Sequence, residues 1–95
     1  MNHPIEVGCY YLFQTVTLYF AGRVTSVEPC WVHLEDASWV HRTGRLSTLL
    51  KHGFDRSKFN VNPPRTEYVG AYTIAVSSLI GFMRLPGSPP KESIQ

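Results

Sequence analysis

The stretch DASWVHRTGRLSTLL, residues 36–50, gathers residue types that bind phosphate. Leu46, Leu49 and Leu50 recur at i, i+3 and i+4, which predicts a short helix at about 44–52. Thr43 is its expected N-cap, and Gly53 stands where a left-handed C-terminal cap is wanted. The first turn of a helix exposes unpaired backbone N–H groups and a partial positive charge. Arg42 and Arg45 nevertheless stand at that end. A bound anion resolves the conflict, taking N–H donors together with forked guanidinium bonds. Gly44 lets the backbone approach closely, Thr43 offers a hydroxyl, and Trp39 and His41 can stack on a base. Arg65 can assist from the following loop. The competing reading pairs Arg45 with Asp36 or Glu35 and uses Trp39 to cap the core.

Other chemistries are poorly served. Ser47, His41 and Asp36 have the residue types of a nucleophile and its base, but no strained nucleophile turn surrounds Ser47. Glu35 and Asp36 are adjacent on an expected strand, so they should point to opposite faces and not act as an acid/base pair. His33, His41 and His52 match no usual metal-ligand spacing. The expectation is therefore a protein without catalytic activity, metal or cofactor.

The net charge of +2 is too mild to indicate DNA binding. It is unevenly placed: residues 41–65 carry +5, with Asp55 their only acid, and the remainder carries −3. Such asymmetry concentrates positive potential where an anionic ligand can be drawn in. Cys9 and Cys30 lie among apolar residues on expected strands, which reads as free thiols in a reducing cytoplasm. The run CYYLFQTVTLYFA lacks a basic leader and is interrupted by Gln14, Thr15 and Thr17. It is read neither as a signal peptide nor as a membrane span.

The elements that must hold these residues are mostly strands. Residues 8–14 and 17–27 are aromatic, β-branched or Thr, and Glu28–Pro29 turns the chain into CWVHLED at 30–36. Leu18, Phe20 and Val24 share one face of the second strand, with Gly22 allowing a bend or close backbone approach. FDRSKFNVNPPR has turn chemistry, and strands are expected again at about 66–70 and 73–85. Residues 1–86 are read as one domain and 87–95 as a disordered tail. Tyr10, Tyr11, Phe13, Tyr19 and Trp31 are more aromatic surface than a small barrel easily buries. Tyr11, Phe13 and Tyr19 are candidates for a subunit interface, the alternative being the chain's own core.

Two resemblances add context. YFAGRVTSVEPCWVHLEDA resembles the first motif of Sm-like and SH3-like barrels, with Phe20, Gly22, Leu34 and Asp36 in the matching places. TEYVGAYTIAVSSLIGFMRL is a looser echo of the second motif and lacks its Arg-Gly pair. This likeness implies a mainly β (α+β) fold, a small five-stranded barrel with one short inserted helix. From about residue 8 to 86 the chain also resembles small uncharacterised bacteriophage and prophage proteins. The residues carrying that likeness are Leu34, Asp36, Ala37 and Trp39, followed by Thr43, Gly44 and Arg45.

The expectation assembled from these readings is a phage homo-oligomer in the host bacterial cytoplasm. It would sequester a phosphorylated small molecule, such as a cyclic oligonucleotide or an ADP-ribose-type immune signal, and so act against host defence. One alternative is a module that docks on a host or phage protein through aromatic strands. Another is a single-stranded RNA binder of the Sm-like type.

Overall fold

The computed structural model describes residues 5–59 and 63–89, without the side chain of Arg56. Five strands form one antiparallel sheet: β1 (Tyr10–Thr15), β2 (Tyr19–Val27), β3 (Trp31–Arg42), β4 (Arg65–Ala75) and β5 (Leu79–Arg84). One α-helix, α1 (Leu46–His52), lies between β3 and β4. The fold is mainly β, and among the described residues no helix is long and apolar enough to cross a membrane.

The strand order is β4-β3-β2-β1-β5. Strands β4 and β5 are therefore the two edges, although only a 3-10 turn at Val76–Ser78 separates them in the chain. In a flat sheet four strand spacings would set the edges about 19 Å apart. Four Cα steps from Ala75 to Leu79 reach at most about 15 Å. The sheet must therefore curl until its edges approach at this corner.

Both faces of the curled sheet are covered, and β1 shows how. Tyr11 and Phe13 enter a cluster with Phe20, Val24, Val32, Leu34 and Ile74. Leu12, on the other face, joins Ala21, Val40, Leu49, Phe54 and Leu85. Helix α1 supplies the second cover: Leu49 is fully buried, and Leu46 and Leu50 pack around it. Gly53 ends the helix at φ 70° and ψ −149°, a positive-φ conformation that glycine accepts but not the αL cap expected, its N–H donating to the Leu49 carbonyl at 2.7 Å.

Several boundaries differ from those expected. Strand β3 runs to Arg42 instead of ending near 36, because a bulge at Asp36 (φ 52°) bends the chain without ending the pairing. On either side of it Leu34 and Ala37 both face the first cluster. The break late in the chain falls at Val76–Ser78, where Ser78 Oγ donates to the Ala75 carbonyl. Gly70, at φ 83°, stays inside β4 beside Ala37. Of the expected tail, Pro89 is buried and residues 90–95 lie outside the described residues.

The aromatic residues considered for an interface are mostly internal. Tyr11 and Phe13 are 4% and 0% exposed within this single chain, with ring centroids 5.8 Å apart. A sheet covered on both faces has room for them, so their area is not available to a partner. Tyr19 is half-buried beside the second cluster.

Candidate functional site

The end of β3 and the start of β4 bring together four of the residues singled out by type. In this register Trp39 faces Glu67, Val40 faces Thr66, and Arg42 faces Arg65. The ladder shifts between Val40 and Arg42, so His41 is the extra residue of a bulge. Its ring meets Trp39 edge-on at 6.3 Å, and its Nε2 lies 3.5 Å from Glu67 Oε1. Trp39 also meets Phe20 edge-on at 6.4 Å, and Phe20 stacks on Tyr72 at 4.7 Å. The indole thus forms the boundary between the core and the charged corner.

Arg42 and Arg65 are like charges set directly opposite each other on an antiparallel pair, an unfavourable arrangement. Both are exposed. Arg42 Nε donates to the Pro63 carbonyl at 3.0 Å, a bond that anchors its stem without using the two terminal nitrogens. Among the described residues, the side chains of Arg45 and Arg65 have no hydrogen-bond or ion-pair partner.

The helix start differs from the expected one. Arg45, not Thr43, is the N-cap, and no side chain caps the first turn. Thr43 turns its hydroxyl to the Gly44 carbonyl at 3.0 Å. The cause lies in β3, whose extension consumes residues through Arg42 and leaves only Thr43–Gly44, with Gly44 at φ 69°, to turn the chain. Arg42 is consequently a strand residue, four positions before the helix. Arg45 alone stands at the helix mouth, and the charged corner is built by strand pairing.

The acids once matched with Arg45 belong to Arg23. Its Nη2 lies 3.0 Å from Glu35 and its Nε 3.8 Å from Asp36. Adjacent strand residues ordinarily point apart, but the bulge at Asp36 turns both carboxylates toward one guanidinium. Partial desolvation works to lower the Arg23 pKa; the Glu35 hydrogen bond and the charges of Glu35, Tyr10 and Asp36 outweigh it and raise the value. Asp36 and His41, two members of the considered triad, are thus engaged by Arg23 and Glu67 respectively.

Elsewhere, His33 is held between Glu28 and Thr73, spanning the β2–β3 turn and β4. Cys9 and Cys30 are free thiols. No group of three His, Cys, Asp or Glu able to hold a metal occurs among the described residues. An open cleft lies at the far end of α1, lined by His52, Phe54, Asp55, Pro86 and Pro89 among others, and it includes none of the arginines discussed. Arg42, Arg45 and Arg65 are all exposed, and the corner they form is an open shelf of the surface apart from that cleft. Two buried polar atoms, Trp39 Nε1 and Thr66 Oγ1, have no hydrogen-bond partner among the described residues.

Reading by residue type missed Glu67 and the Pro63 carbonyl. Glu67 is an isolated acid in a strand, and only the pairing of β3 with β4 places it beside Trp39 and His41. Compared with protein-family models, with curated proteins and with solved structures, the chain matches none.

Proposed function

We propose that this protein is a non-enzymatic binder that captures a phosphorylated small molecule on the shelf at the ends of β3 and β4. The observation that carries this reading is the in-register opposition of Arg42 and Arg65. Like charges at directly opposed strand positions are unfavourable, and an anion bound between them relieves the repulsion. A phosphate accepts forked hydrogen bonds from both. His41 and the exposed part of Trp39 offer a flat neighbour for a base, and Arg45 adds positive charge from the start of α1. Thr43 and Gly44 contribute the backbone of the connecting turn.

The phage resemblance supplies the biological setting: sequestration of a nucleotide signal of bacterial immunity, either a cyclic oligonucleotide or an ADP-ribose-type molecule. We read the curled five-stranded sheet as an Sm/SH3-like barrel. In support stand the β4-β3-β2-β1-β5 order and the three-residue link between its edge strands. An exposed shelf holds a small molecule less tightly than an enclosed pocket, so a second copy closing over it is part of this proposal.

Purified protein is mixed with a panel of cyclic oligonucleotides and ADP-ribose derivatives, followed by thermal shift and by mass analysis of recovered ligand. Binding of intact ligand, lost in Arg65→Ala, is the expected result. Failure to bind any member overturns the reading, and recovery of a chemically altered ligand makes the protein an enzyme.

A second reading rests on β5. Its Ile80 and Phe82 are 62% and 37% exposed on an edge strand that pairs only with β1. Unpaired edges of this kind accept a strand from another chain. Docking on a host protein predicts that Phe82→Lys abolishes function while Arg65→Ala does not.

A further inference from the structure

Glu67 sits where a simple anion shelf would exclude it. On β4, Arg65 and Glu67 are exposed while Thr66 between them is buried, so the two charges share one face. Two residues along a strand are about 6.5–7 Å apart. A carboxylate at that distance repels a bare polyanion held by Arg65. His41 Nε2 lies 3.5 Å from one oxygen of Glu67, and among the described residues the other oxygen has no partner. An ionised carboxylate only accepts hydrogen bonds. It can favour a ligand only by receiving an N–H or O–H from it.

We infer that Glu67 selects ligands in which a phosphate lies beside a hydroxyl or amino donor, as in a ribosyl diphosphate, over bare polyphosphates. The inference rests on the capture reading and names its ligand class. Arg42 and Arg65 take the phosphate, and Glu67, oriented by His41, accepts from a sugar hydroxyl or a base amine. Carboxylates read ribose hydroxyls beside bound phosphates in dinucleotide sites by this same chemistry. Trp39 lies directly opposite Glu67, so the donor would reach Glu67 next to the indole, where a sugar or base has an apolar surface to cover.

Titration calorimetry of the full chain with ADP-ribose and, separately, with inorganic pyrophosphate tests this, using wild type and Glu67→Gln. Glutamine keeps the size and one neutral acceptor but removes the charge. The expected pattern has opposite signs: Glu67→Gln weakens ADP-ribose about five- to tenfold, the loss of a charge-assisted hydrogen bond, and tightens pyrophosphate. Changes of the same sign for both ligands, or none for either, overturn the role of Glu67 and leave anion capture standing. If wild type binds neither ligand, this ligand class is wrong. If Arg65→Ala then also has no effect on any nucleotide of the wider panel, the capture reading falls with it.

Discussion

Arg42 and Arg65 occupy directly opposed positions across β3 and β4, and the carbonyl of Pro63 holds the Nε of Arg42 at 3.0 Å. Natural sheets seldom keep like charges face to face, because the repulsion has no structural return. Here it sets two cations on one shelf beside an aromatic boundary. The energetic consequence separates structure from binding.

Arg65→Ala should leave the thermal midpoint unchanged or raised, since it removes repulsion and no described contact. Its affinity for a nucleotide should fall about tenfold or more, as expected for a lost charge-assisted bond. Differential scanning calorimetry and titration calorimetry on one preparation check both halves. A stability loss with unchanged affinity would make Arg65 structural.

Gly22→Ala should destabilise the sheet. A Cβ there would meet Ala37 Cα and Cβ at 3.1 Å and Leu34 Cβ at 3.3 Å, beside the Asp36 bulge. Backbone atoms cannot move aside without breaking the β2–β3 ladder. Overpacking of this kind costs about 1–3 kcal/mol, readable as a lower urea midpoint with unchanged slope.

Leu49→Ala should cost about 2–5 kcal/mol. Leu49 is the fully buried side chain through which α1 covers the second face of the sheet. A helix of seven residues has little stability of its own, so losing this anchor should release it. Amide exchange at Leu50 and Gly53 would then quicken more than exchange in β1.

Asp55 gives a pH-dependent prediction. The hydroxyl of Ser57 donates to its carboxylate at 2.7 Å and the Ser57 N–H at 3.0 Å, and these bonds hold its pKa below the ordinary aspartate value. Desolvation opposes these bonds more weakly, and the smaller effects of the Lys58 and His52 charges add to the lowering. A group whose pKa is depressed by folding contributes stability that is complete above its unfolded pKa. That contribution is lost as pH falls through the lower, folded value. Ser57→Ala should raise the Asp55 pKa toward the ordinary range in a carbon-detected NMR titration. The turn should then loosen at a higher pH than in wild type.

Much of the local structure was legible in residue types. The aromatic and β-branched runs mark β1 and β2, Glu28–Pro29 marks the turn before β3, and the Leu46, Leu49, Leu50 spacing marks the buried stripe of α1. Gly53 as the helix terminator was equally plain, because few other residues accept φ 70° at that place. The candidate site was legible only in part. Trp39, His41, Arg42 and Arg65 do converge, but through the pairing of two strands and not at the mouth of a helix.

The sequence by itself determined which segments become strands and which carries the helix, though not where β3, the last strand break or the helix cap fall, since propensity and alternation act within a few neighbouring residues. Tertiary structure alone decided which residues face each other. The bulges at Asp36 and His41 shift the count of every residue that follows, placing Glu35 and Asp36 on one arginine and Arg42 opposite Arg65. Burial of Tyr11 and Phe13 was likewise decided there, by a sheet that curls over one core and carries a helix on its other face. Alternation and turns set register only while the count is regular, and the bulges that interrupt it here form between paired strands and leave no mark in the alternation.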